Sequence, residues 1–199
     1  MNRIRVIVIS AFFLCILNSE LTASSRLTFL RVHGAVNSQE VGSGAYAVIS
    51  VWDERGPVLV HPDNSFFTVV GSQRPQKVTL VDSKKKIRAL AVFIPGYTQT
   101  LLFDAQSTAL AVLFTDSRNF SHNQQVAAII EGMGKEPAVQ AFVAYLRRNL
   151  PTTSLEDLST KKEYIELVEN CQKEVFGEDQ KEILKSLKSA EKELEKVME

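Results

Sequence analysis

SFFTVVGSQRPQKVTLVDSKKKIRALAVFI, residues 65–94, is the stretch on which the fold turns. It holds three short runs, Ser65 to Val70, Gln76 to Val81 and Ile87 to Ile94, rich in β-branched and aromatic residues and without a helical period. Asp82-Ser83-Lys84 stands between the second and the third, and short runs bounded by turn formers read as strands. Upstream, in AYAVISVWD (residues 45–53), Val48, Ser50 and Trp52 alternate with Ala47, Ile49 and Val51. Asn37-Ser38, Gly42-Ser43-Gly44, Asp53 to Pro57, Pro62-Asp63-Asn64 and Pro95-Gly96 continue the punctuation. Turn signals at this rate predict an antiparallel β-sandwich of about seven strands over residues 24–103.

Beyond Asp104 the period changes, and the fold class expected for the whole chain is α+β, with a helical region over residues 104–177. Ser107 to Phe114 is apolar all round, either a buried helix capped by Asp104 or Ser107 or a last central strand; its alanines favour the helix. Asn123 to Gly132 reads as a short helix ending at a glycine. Pro137 opens another, with Val139, Phe142, Val143, Leu146 and Leu150 on one stripe and Pro151 closing it. A longer helix is expected from Leu155 or Ser159 to a C-terminal glycine, Gly177.

Residues 178–199 are expected to form a terminal amphipathic helix. Ile183, Leu187, Ala190, Leu194 and Val197 step by four, three, four and three, an a/d seam. Glu182/Lys185 and Glu193/Lys196 support an exposed helical face. Residues 151–199 carry 13 acidic and 8 basic groups, so this end of the chain is acidic. The seam offers a contact for a protein partner or a second copy. The other reading is a hairpin with Glu163–Phe176, which the seam's length favours, because it falls below three heptads.

SVWDERG (50–56), PDNSFFTV (62–69) and QKVTLVDSKKK (76–86) together resemble the strand–turn–strand rhythm of secreted carboxypeptidase-regulatory-like (transthyretin-like) β-sandwich modules. In that group a strand ends in Asp-x-x-Gly and the next hairpin carries a turn followed by Ser/Gly-x-Phe; the usual glycine is here Ser65. The resemblance covers residues 28–103. It implies a spacer or binding module with no catalytic residues of its own.

The first 23 residues read as an address. Arg3 and Arg5 precede an apolar run of twelve, Val6 to Leu17, and Leu21-Thr22-Ala23 ends in a small residue suited to signal peptidase. The run is short of the roughly 18–20 residues a spanning helix needs, and the pattern is that of a secretory signal peptide. Retention as an anchor is the other reading. The chain is expected to be secreted or periplasmic, with no transmembrane segment once the signal is removed. Cys15 lies inside the apolar run, which leaves Cys171 as the mature chain's thiol. Tyr164, Val168, Cys171 and Val175 step by four, three and four, placing that sulfur on an apolar helical stripe, where cysteine behaves as a small hydrophobe.

Lysine plus arginine and aspartate plus glutamate each number 23, so no global field steers the chain to nucleic acid. His33, His61 and His122 lack metal-ligand spacing, and no HExxH, CxxC, GxSxG or phosphate-loop pattern occurs. Gly132-Met133-Gly134-Lys135 follows a helix and reads as an interhelix turn. Asp53, Asp63 and Asp82 stand at turns, where they either cap backbone or share a calcium ion. Lys84-Lys85-Lys86 is a solvated turn or a phosphate-binding patch. Tyr46, Trp52 and Tyr97 make a sugar platform only if all three reach the surface. Asn119-Phe120-Ser121 matches a glycosylation acceptor.

Neither a catalytic residue nor a cofactor nor a metal is expected. The function expected is an exported, non-enzymatic binding or structural module of the envelope or extracellular space. It would engage a protein partner through Ile183, Leu187, Ala190, Leu194 and Val197. The alternative is a secreted hydrolase or metal- or ligand-binding protein, its site assembled from His33, His61, Asp53, Asp82 and Asp104.

Overall fold

A computed structural model describes residues 29–51, 53, 56–114 and 122–177. The expected signal peptide, Trp52, the Asn119 acceptor and the whole 183–197 seam lie outside the described residues.

Seven strands come first: β1 (Phe29–Val36), β2 (Tyr46–Ile49), β3 (Val58–Leu59), β4 (Ser65–Gly71), β5 (Gln76–Asp82), β6 (Ile87–Phe93) and β7 (Leu101–Phe103). The one helix among them, α1 (Ser38–Val41), stands where the sequence reads only as a turn. Helices α2 (Ala105–Leu113), α3 (Asn123–Met133), α4 (Pro137–Asn149), α5 (Leu155–Ser159) and α6 (Lys162–Phe176) follow. The class is α+β, with strands in the first half and helices in the second.

The strands form two sheets, ordered β4-β1-β7 and β3-β2-β5-β6. All pairings are antiparallel except β1 with β7, which run parallel, Gly34 opposite Leu101 and Val36 opposite Phe103. This departs from the all-antiparallel expectation. β7 enters after the Ile94–Gln99 turn and meets β1 from the side β4 leaves open.

One apolar core draws on both sheets, with Val32, Val36, Phe66, Val70 and Phe103 from the first and Val48, Val78, Leu80, Ala91 and Phe93 from the second. Alternation then sends the other side chains of each strand outward. On β6 these are Leu90 and Val92; Leu90 packs against a second core, which holds Ala109, Leu113, Phe142, Leu146, Leu158 and Cys171 of the helices. The helical layer therefore covers the outer side of the four-stranded sheet.

Local chemistry explains the helix limits. Asp104 closes a capping box at α2, accepting from Ser107 N at 2.6 Å while Ser107 Oγ accepts from Asp104 N at 3.0 Å. Residues 107–114 are thus helical up to Leu113. Pro137 occupies the first position of α4, where its missing N–H costs nothing. The long helix expected after Leu155 is two: Ser154 caps α5, the chain turns at Thr160-Lys161, and α6 starts afresh. The helix expected over Asn123 to Gly132 passes through that glycine and stops at Met133.

Candidate functional site

None of the described helices covers the outer side of the three-stranded sheet. In the β1–β4 register His33 faces Phe67 and Arg31 faces Val69, so these side chains share one surface with Phe29. Phe29 is 46% exposed, Phe67 44% and Leu102, on β7, 44%. Single exposed apolar residues are ordinary on a protein surface, whereas a contiguous patch marks an interaction site.

Phe67 is the centre of the patch. The Arg31 guanidinium lies over its ring, 4.7 Å from the centroid, and the His33 ring is 5.1 Å away, tilted by 58°. A cation on an aromatic face contributes about 0.5–1 kcal/mol at an exposed site. No carboxylate among the described residues pairs with Arg31. The arrangement suits a ligand with an apolar body and an anionic group.

An open cleft of about 550 Å³ begins here, walled by Leu30, Arg31, His33 and Phe67 and, across it, Gly96, Thr98 and Gln99. A second, of about 350 Å³, lies beyond the same turn, between Ile94, Tyr97 and Thr98 and the helix residues Gln106, Leu110, Ala127, Ile130, Gly134 and Lys135. Thr98 stands in the wall of both. Its hydroxyl accepts from Ile94 N at 2.9 Å, which fixes the turn between them. Gly96, at φ 83°, supplies the left-handed residue the turn requires.

The residues of a loop-built catalytic or metal site are occupied elsewhere. Asp82 Oδ1 accepts from Lys84 N at 2.8 Å and Lys86 N at 3.0 Å. Asp63 Oδ1 accepts from Ser65 N and Oγ, and these bonds hold its carboxyl below the usual range. Asp104 is the α2 cap, and Asp53 is buried. His33 belongs to the Phe67 patch, His61 sits exposed in the β3–β4 loop, and His122 precedes α3. Among the described residues no three His, Cys, Asp or Glu are grouped to hold a metal ion.

The remaining sequence candidates divide. Tyr46 is buried with its hydroxyl donating to Gly42 O at 2.8 Å, which removes it from a sugar platform; Tyr97 is half exposed at the smaller cleft. Of the three lysines, Lys86 is pinned to Asp157 of α5 at 2.8 Å and is no free phosphate ligand. Gly132 and Met133, expected in an interhelix turn, end α3; the turn is Gly134 to Glu136, and Gly134 and Lys135 line the smaller cleft. Cys171 is buried, and burial pushes its thiol up to about 11. No described helix is long and apolar enough to cross a membrane.

The Phe67 patch escapes a reading of the sequence because Arg31 and Phe67 are far apart in the chain. Only the non-local pairing of β1 with β4 brings them together. Comparison with protein-family models, with curated proteins and with solved structures returned no match.

Proposed function

We propose that this chain is an exported, non-enzymatic interaction module that binds a protein partner on the outer face of its three-stranded sheet. The scaffold is read as a β-sandwich, supported by the single core that alternating residues of both sheets fill. The described helices cover one side of it and not the other. The observation that carries the reading is the exposed Phe67 ring beneath an Arg31 guanidinium that has no carboxylate partner among the described residues. Aromatic and arginine side chains at the centre of a patch are the usual anchors of protein interfaces.

Export rests on the Arg3-to-Ala23 pattern, and cleavage after Ala23 would leave a chain beginning at Ser24. The intact mass of protein recovered from the exporting cell tests this; a mass that includes Met1 would contradict it. The binding-module function implied by the resemblance of residues 28–103 to transthyretin-like modules agrees with the same reading.

The functional test is cross-linking in the exporting cell's envelope, with the wild type and Arg31→Glu in parallel. A partner held by the wild type and captured at least about tenfold less by the charge reversal supports the face, since a reversed charge at an interface core costs several kcal/mol. Equal capture by both chains contradicts it.

A further inference from the structure

We propose that the partner docks by strand addition, an extended segment of alternating apolar and acidic residues pairing with the open edge of β1 at Arg31 and His33. This rests on the outer face of the three-stranded sheet being a docking surface and adds the form and chemistry of what docks there.

The register fixes where β1 is left without a neighbour. Val36 N donates to Asn64 O at 2.9 Å on the β4 side, and Asn37 N donates to Phe103 O at 2.9 Å on the β7 side. Backbone groups of successive strand residues point to opposite edges, so the even-numbered residues of β1 turn their N–H and C=O to β4 and the odd-numbered ones to β7. β4 runs almost the length of β1, from Gly71 opposite Phe29 to Ser65 opposite Ala35. β7 begins only at Leu101, opposite Gly34. Before that point β1 is an edge strand. The N–H groups of Arg31 and His33 and the C=O of Arg31 face the side where no described strand lies, and no described residue hydrogen-bonds to them there. Exposed edges are usually blunted by a lysine, a proline or a bulge. Leu30 to His33 holds neither residue, and the β1–β4 ladder runs without a register shift.

The space beside that edge is the cleft of about 550 Å³, with Gly96, Thr98 and Gln99 on its far side. Its lining states what it takes. Leu30 shares the phase of the core residue Val32, yet it is 37% exposed, and both line the cleft with Phe93. A strand laid along β1 alternates as β1 does. Every second side chain then turns toward Leu30, Val32 and Phe93, where apolar residues fit. The others lie beside Arg31, His33 and Phe67, where a carboxylate meets a guanidinium that no described acid pairs with. In strand addition the main-chain bonds supply affinity and the alternate side chains supply specificity. A helix, its backbone bonded internally, cannot satisfy the edge.

The test selects a phage-displayed library of random linear peptides on the full chain. His33→Ala keeps the N–H at the open edge and His33→Pro removes it, and proline is tolerated where a strand's N–H faces out of the sheet. Enriched peptides should alternate apolar and acidic residues, hold no proline in that run, and bind His33→Pro at least about tenfold more weakly than His33→Ala. Should His33→Pro not fold, the enriched peptide N-methylated in either of the two alternate phases replaces it. Methyl groups in one phase should abolish binding and those in the other leave it, because only one edge of an added strand pairs with β1. Enrichment of no alternating peptide, equal binding by the two variants, or a like response of the two methylated peptides would overturn the proposal. So would slow amide exchange at Arg31 and His33 in the free chain, since the edge would then be paired already. Partner capture that stays sensitive to Arg31→Glu while no such peptide is found would remove strand addition and leave the docking face standing; loss of that sensitivity as well would remove both.

Discussion

Gly34 sits in the middle of β1 because the Phe66 ring of the neighbouring strand lies directly against it; a Cβ there would overlap the ring. That contact lets Phe66 reach Phe103, with ring centroids 5.5 Å apart, inside the core shared by the sheets. Gly34→Ala should destabilise the fold by about 1–3 kcal/mol, the usual cost of overpacking, read as a lower denaturant midpoint. Thr68 presents the opposite case. It is fully buried, and its hydroxyl has no hydrogen-bond partner. Thr68→Val keeps the shape and removes the stranded group, so it should stabilise by about 1 kcal/mol; a lower midpoint would show that the hydroxyl is satisfied. Cys171 is equally specific in its consequences. A thiol raised to about 11 by burial is scarcely ionised at neutral pH, so native labelling should be slow and become fast only on unfolding.

At the scale of elements, the helical layer is joined to β6 by polar as well as apolar contacts. Arg88 donates through Nη2 to Val41 O at 3.1 Å and Leu150 O at 2.6 Å, so one cation closes the carbonyl ends of α1 and α4. Arg88→Met should cost about 2–3 kcal/mol by stranding those carbonyls; a loss well below 1 kcal/mol by denaturant titration would contradict this. The hairpin before β6 is tied to α5 by Lys86 and Asp157. Hydrogen bonding to Lys86 first, and to Ser154 second, lowers the Asp157 carboxyl below its ordinary 3.8. A depressed carboxyl contributes stability above its unfolded value and loses it as the pH falls through the folded one. The part of the acid transition below pH 3.8 should therefore shrink in Asp157→Asn. On the alkaline side, the bond to Asp157 raises Lys86 above 10.5, so its contribution is present below that pH and fades as the pH rises through the raised value. Arrival of α5 on this hairpin also explains why the sequence reading failed to divide α5 from α6. The break at Thr160-Lys161 contains neither Gly nor Pro, and it follows from burial of Leu158 against the helical core.

For the whole molecule, what was legible follows from the range of the interactions. β4, β5 and β6 are apolar, β-branched runs between turn formers, and Asp104 with Ser107 is a local cap; both kinds of signal lie within a few residues. β7 is three residues long and is a strand only because β1 is beside it. α1 was hidden for a related reason: its first helical residue, Ser38, follows Asn37 in a pair of ordinary turn formers. The docking face was the least legible part. Phe67 reads as one more apolar residue of β4, and Arg31 as an isolated charge, until the β1–β4 register sets them on one surface. The same alternation that puts Phe66 in the core requires Phe67 to face outward, and no described helix covers it.

The most direct test of that claim is site-specific photo-cross-linking of the full chain in the exporting cell, with a photoreactive phenylalanine analogue at position 67 and, in a second protein, at position 59. One discrete protein adduct from position 67, absent from position 59, is the predicted result. Adducts from position 59 alone, or the same adducts from both positions, would contradict a docking face on the outer side of the β4-β1-β7 sheet.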